Sequence, residues 1–125
     1  MRKEIISENA PQAIGPYSQG IETDNFVFLS GQIGITEKGK LATGGTTGQF
    51  KQIMKNIKYI LKELNLDLSA IVKTTIFLKD MNDFQAINSV YEDYWTKPYP
   101  ARSTVEVAKL PKDVNIEIEV IAVKN

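Results

Sequence analysis

Cysteine and histidine are both missing from the 125 residues of this chain. Without cysteine there is no disulfide framework, no thiolate nucleophile and no thiolate zinc site. Without histidine the usual general base near neutral pH and the commonest metal ligand are gone as well. Any catalysis must then come from Arg, Lys, Tyr, Asp, Glu, hydroxyls and backbone groups. An excess of either charge is also lacking, because 15 basic residues balance 15 acidic ones. Nucleic acid binding draws on a local surplus of Lys and Arg, and neither the total nor any run supplies one. No nucleic-acid partner is therefore expected. No stretch approaches membrane-spanning length, and MRKEIISENAPQ lacks the apolar run of a signal peptide, which predicts a cytoplasmic protein without membrane contact.

What is present describes an ordinary globular chain, with 42% hydrophobic and 24% charged residues. That composition and length predict one domain over residues 1–125. RKEII reads as a short strand, and SENAPQAIGP as a loop rich in turn residues. YSQGIET and FVFLSGQI alternate like strands on either side of Asp24-Asn25, a tight hairpin. TEKGKLATGG is polar and glycine-rich, hence a loop. Phe50, Ile53, Met54, Ile57, Ile60, Leu61 and Leu64 recur at helical spacing, and Thr46 with Gln49 offers a capping box at the start. IVKTTIFL reads as a strand on its β-branched content. A second helix follows Asp80, with Asn82 and Gln85 as start signal and a stripe of Phe84, Ile87, Tyr91 and Tyr94 or Trp95. Pro98 and Pro100 end it.

ARSTVEVA and VNIEIEVIAV close the chain as strands joined by KLPKD. The element order is β-β-β-α-β-α-β-β. Because each helix has one apolar face, an α+β fold follows, with a single mixed sheet and both helices on one side. In the last strand Ile116, Ile118, Val120 and Ala122 point one way, and Glu117, Glu119, Ile121 and Val123 the other. Aliphatics on that second face predict contact with another subunit.

The reversal at KLPKD predicts that the last two strands are antiparallel neighbours. Val105 and Val107 would then join Ile116 and Ile118 under the helices. Arg102 and Thr104 would share the opposite face with Glu117 and Glu119. Arg can grip a carboxylate with two parallel hydrogen bonds, and a partly buried Glu can orient and deprotonate a water. A cross-strand ion pair with no catalytic role fits the same spacing.

The motif PARSTVEV-AKLPKD-VNIEIEVIAV resembles the C-terminal signature of the RidA/YjgF family, the reactive-intermediate deaminases. The resemblance runs most of the chain, through NAPQAIGPYSQGI, FVFLSGQIG, KQIMKNIKYIL, VKTTIFLKDMNDF and NSVYEDYW. It implies a chorismate-mutase-like fold assembled as a homotrimer, with sites between subunits and no metal or organic cofactor. The implied reaction hydrolyses short 2-imino or enamino acids, such as 2-iminobutanoate, 2-iminopropanoate and 2-aminoacrylate, to 2-keto acids and ammonia.

Carried over by motif, Arg102 matches the arginine that binds the substrate carboxylate. Glu117 matches the acid that positions or activates water. Tyr17 in GPYSQ matches a site tyrosine, and Ser30 and Gly31 in LSGQ match a wall touching substrate. Asn88 matches a helix position near the site. Thr104 stands where many relatives carry Cys; a backbone contact with substrate survives that change, but a thiol-dependent reaction does not. Each has a plainer reading. Tyr17 would serve as a packed aromatic, Gly31 as a strand bulge, and Asn88 as a partner for loop backbone. A non-catalytic keto-acid sensor, acting on a protein partner, would also keep Arg102. An endoribonuclease, an activity attributed to some relatives, is disfavoured by the missing histidine and the zero net charge.

Overall fold

Six alternating segments find their partners in one mixed sheet, in a computed structural model that describes residues 1–124. The strands are β1 (Lys3–Ile5), β2 (Gly20–Glu22), β3 (Phe26–Ile33), β4 (Ile71–Leu78), β5 (Ala101–Glu106) and β6 (Ile116–Val123). Their order across the sheet is β1-β2-β3-β6-β4-β5. Helices α1 (Gly45–Lys62) and α2 (Phe84–Glu92) pack on one face, with their apolar stripes in a common core. The arrangement is the α+β, chorismate-mutase-like fold that the element order and the family resemblance imply. Among the described residues no helix is long and apolar enough to cross a membrane.

The core follows the periodicities. Phe50, Ile53, Met54, Ile57, Ile60 and Leu61 of α1 are buried against Val27 and Leu29 of β3 and against Ile116, Ile118, Val120 and Ala122 of β6. Full burial of each of the larger of these side chains contributes about 1.5–3 kcal/mol relative to exposure. Thr23 N donates to Phe26 O at 2.8 Å, closing the Asp24-Asn25 hairpin as expected.

Two start signals read differently in the fold. Helix α1 is capped by Gly44 in the left-handed region (φ 99°), with no side-chain bond. Thr46 instead donates to Asp83 Oδ2 at 2.8 Å, and Gln49 Oε1 accepts from Asn115 N at 2.9 Å. Long-range partners have taken both members of the expected capping box. Before α2, Asp80 rather than Asn82 caps the chain, accepting from Asn82 N at 2.9 Å through Oδ1. A 3₁₀ turn (Met81–Asp83) then precedes the helix. The helix ends at Glu92, well before Pro98, with Asp93 N and Tyr94 N bonded back to the carbonyls of Val90 and Tyr91.

The larger correction concerns the last two strands, which are not neighbours. β5 pairs in parallel with β4, and β6 lies antiparallel between β4 and β3. A strand–helix–strand unit, β4-α2-β5, brings its two strands together in parallel. Residues 107–115 then cross the end of β4: Val107 N donates to Leu78 O at 2.8 Å and Lys79 N to Asn115 O at 3.0 Å. This inverts the expected faces of β5. Arg102 lies opposite Thr74 and Thr104 opposite Ile76, and both of those β4 residues face the helices. Val105 pairs with Phe77 on the open face instead and is 42% exposed. Parity in β6 is as expected, with Glu117 and Glu119 on the open face.

Candidate active site

Four of the expected site residues meet in one cleft of ≈ 640 Å³, between the first loop, β3 and β6. Tyr17, Ser30, Gly31 and Glu117 line it, along with Gln19, Gln32 and Lys112. Gln19 fixes its outer wall. Its side chain accepts from Ser7 N at 2.7 Å and donates to the carbonyls of Ser7 (3.1 Å) and Pro11 (2.8 Å). This buried amide takes residue 19 out of the strand predicted for YSQGIET and uses it to hold the loop.

Tyr17 sits on that loop and is 54% exposed, so the packed-aromatic reading does not describe it in the single chain. Its hydroxyl accepts a long bond from Ile14 N at 3.4 Å, and the residue lines the cleft. Ser30 Oγ donates to Ser18 O at 2.6 Å, which joins β3 to the same loop. That proton is committed, so Ser30 is not free to act as a nucleophile in this arrangement.

Gly31 lies where the β3–β6 register slips between Leu29 and Gln32, a β-bulge. The bulge reading holds, and Gly31 also lines the cleft. A Cβ on Gly31 would run into the Glu117 carboxylate, coming within 2.8 Å of Cδ. Glycine here leaves the space that the acid occupies. Burial pushes the Glu117 carboxyl above the usual range, and the nearby Glu119 charge adds to the rise. A half-buried acid with a raised pKa, beside open backbone in a cleft, is a stronger base towards water than an ordinary carboxylate.

Arg102 is elsewhere. It lines a smaller cavity of ≈ 380 Å³ at the sheet edge with Asn88, Tyr91, Glu92, Tyr99 and Pro100. From the register, Arg102 and Glu117 stand two strands and three residues apart, roughly 14 Å between backbones, with side chains on opposite faces. The cross-strand Arg–Glu pair expected from alternation does not form. The guanidinium lies over the rings of Tyr91 (4.8 Å to the centroid) and Phe84 (5.6 Å). It makes no ion pair among the described residues. Asn88 shares that cavity from α2, one turn beyond Phe84, and so belongs with Arg102 rather than with Glu117. Thr104, two residues along β5, has its hydroxyl oxygen buried without a hydrogen-bond partner among the described residues.

The sequence reading missed Lys112 and the aromatic bed under Arg102. Lys112 sits in the crossing loop at φ 56°, an uncommon conformation for a side-chain-bearing residue, and helps line the Glu117 cleft. Only the crossover places it there. Phe84 and Tyr91 were legible as one helix stripe, but the strand that stripe covers depended on the β5 pairing. Among the described residues no group of three or more acidic side chains is arranged to hold a metal ion.

Comparison with known proteins bears on the family and the fold. The family model described as Endoribonuclease L-PSP matches residues 7–124. A RutC family protein of Pyrococcus horikoshii is 50% identical over 125 residues, covering 99% of each chain. The 2-iminobutanoate/2-iminopropanoate deaminase of Escherichia coli (strain K12) is 48% identical over 127 residues, again covering 99% of each chain. The crystal structure of yeast Mmf1 superposes with a TM-score of 0.95 at 42% identity, covering 100% of both chains. With matches of this length in sequence and structure alike, the chain belongs to the Endoribonuclease L-PSP family, the RidA/YjgF family whose C-terminal signature it carries.

Proposed function

We propose that this protein hydrolyses short 2-imino and enamino acids to 2-keto acids and ammonia without a cofactor. The reactive centre joins the Glu117 cleft of one copy to the Arg102 cavity of a neighbour in a homotrimer. The observation that carries the reading is the state of these two groups. Arg102 is half-buried with no ion pair among the described residues, and Glu117 is half-buried with its pKa raised. Each is held ready for a partner that the single chain does not supply. The open sheet face suits such an assembly, since Phe26, Phe28 and Val105 are each more than 40% exposed on it. A relative at 48% identity is named an imine deaminase, which supports the substrate class.

In this reading Arg102 binds the substrate carboxylate and fixes C2 of the imine beside a water held by Glu117 and backbone groups. Glu117 takes a proton from the water as its oxygen bonds to C2. That proton passes to the nitrogen as the C=N bond becomes a single bond in a carbinolamine, whose hydroxyl then gives up its own proton to the nitrogen as the C–N bond breaks, leaving the ketone and ammonia. Imines hydrolyse unaided, so positioning and charge suffice. The missing histidine and the zero net charge favour this chemistry over RNA cleavage.

The direct test couples the purified protein to a threonine dehydratase and follows 2-oxobutanoate release. Acceleration over the dehydratase alone supports the deaminase. Measurable 2-oxobutanoate binding with no acceleration would instead identify a keto-acid sensor. A second expectation concerns Gly31→Ala. The new methyl displaces the flexible end of Glu117, which costs little folding energy but moves the acid. Turnover should fall roughly tenfold, less than the ~10²-fold that a full 1 Å misplacement can cost. Thermal melting should stay within a degree or two of the parent, about 0.5 kcal/mol or less. Unchanged turnover would mean that the Glu117 position in the cleft does not matter to the reaction.

A further inference from the structure

We infer that Phe84 and Tyr91 form an aromatic seat that fixes the orientation of the Arg102 guanidinium and leaves its in-plane donors free for a carboxylate. An arginine is usually held in place by an acid, but an acid here would compete with an anionic ligand for the same N–H groups. Stacking uses the flat face of the guanidinium and leaves the fork unspent. The centroid distances of 4.8 Å to Tyr91 and 5.6 Å to Phe84 fall within cation–π range. Glu92, the one carboxylate lining the same cavity, does not pair with Arg102.

The seat is itself held. Tyr91 Oη and Thr74 Oγ1 share a buried hydrogen bond of 2.8 Å. Thr74 is the residue directly across from Arg102 in the β4–β5 register, so this bond ties helix α2 to the same cross-strand pair that carries the guanidinium. Behind it, Tyr91 packs against Trp95 (5.3 Å between centroids) and Phe50 (6.2 Å). Burial raises the Tyr91 phenol above its ordinary range, so the ring stays neutral at neutral pH and does not become a rival anion. Phe84 and Tyr91 stand seven residues apart, two turns along one face of α2, and Asn88 lies between them on the cavity side. They act as positioning residues, through Arg102.

The role of this seat in deamination rests on the proposed function, but its orienting effect does not, and two measurements separate them. The first is the NMR relaxation of arginine Nε–Hε groups, which is simple because the chain has only Arg2 and Arg102. The Arg102 signal should be rigid in the parent protein and loosened in Phe84→Leu and Tyr91→Leu, with the exposed Arg2 as the mobile reference. The second is the affinity for 2-oxobutanoate, measured by calorimetry alongside thermal melting. Phe84→Leu and Tyr91→Leu should each weaken binding on the order of fivefold. Tyr91→Phe keeps the ring and should bind nearly as the parent does, although it melts lower. An Arg102 Nε–Hε as mobile as that of Arg2 overturns the seat. So does parent-like affinity in both Leu variants. A rigid Arg102 in a parent protein that neither binds 2-oxobutanoate nor accelerates its release in the coupled assay supports the seat and overturns the deaminase reading.

Discussion

Arg102→Ala is expected to lower kcat/KM for 2-iminobutanoate on the order of 10²-fold, and Arg102→Lys about tenfold. A charge-assisted, two-pronged grip on a carboxylate is worth roughly 1.5–3 kcal/mol for each charged hydrogen bond, which is a 10- to 100-fold effect. Lysine keeps the charge but loses the planar fork and the fit to the Tyr91 and Phe84 rings. The loss should fall mainly on KM for Lys, and on both constants for Ala, because the reacting carbon is then no longer held. Thermal melting should move little, since Arg102 forms no ion pair among the described residues whose loss would cost stability. Full activity in Arg102→Lys would remove the carboxylate-anchor role.

The same variant tests how the site is assembled. If Arg102 and Glu117 act from adjacent copies, a mixed trimer of Arg102→Ala and Glu117→Gln chains contains some clefts with both native groups. Random mixing in equal amounts restores about a quarter of the parent sites, from two variants that are each nearly inactive. Refolding or subunit exchange followed by the coupled assay measures it. No recovery in verified mixed trimers would show that both groups act from one chain, against the roughly 14 Å separation and opposite faces set by the register.

Much of this was legible in the sequence. The α1 stripe, the Asp24-Asn25 hairpin and the parity of β6 all follow from local periodicity, and each stands in the fold. The candidate site residues could be named one at a time through the family motif. Their grouping was not. Alternation divides a strand into two faces, but it does not say which neighbour the strand will choose. A parallel partner for β5 was implied by the intervening helix α2, yet the short KLPKD link suggested a hairpin. Pairing with β4 reversed the face of every β5 residue. That carried Arg102 from the open face to the helix side and gave it an aromatic seat in place of an acid. Capping failed for a related reason. Thr46 and Gln49 have the right types and spacing, but Asp83 and Asn115, distant in sequence, bind them.

Glu117→Gln should abolish most turnover and make the protein more stable at neutral pH, and the two effects have one cause. In the proposed mechanism Glu117 is the general base, a role worth on the order of 10²-fold or more, and an amide of nearly the same shape cannot accept the proton. The sign of the stability effect follows from its raised pKa, which burial causes first and the Glu119 charge second. A carboxyl with a folded-state pKa above its unfolded value binds protons more readily when folded. Its favourable contribution is therefore complete below the unfolded pKa and is lost as pH rises through the folded one. At neutral pH the ionised acid is a net cost, reduced by solvent screening because the group is only half-buried. The Gln variant avoids that cost, so its melting temperature should exceed the parent's at pH 7–8, and the gap should close on acidification towards pH 4. In the parent, kcat/KM should fall on the acid side at a pH above the ordinary carboxylate range, as the base is protonated. Unchanged turnover in Glu117→Gln would remove Glu117 from the mechanism. A lower melting temperature at neutral pH would show that its charge is compensated in the assembled protein, and the acid limb of the parent profile would then lie at the ordinary carboxylate position. In the proposed mechanism, an acid held at a cost to stability, in a space that Gly31 keeps open, takes the place of the histidine base that the chain lacks.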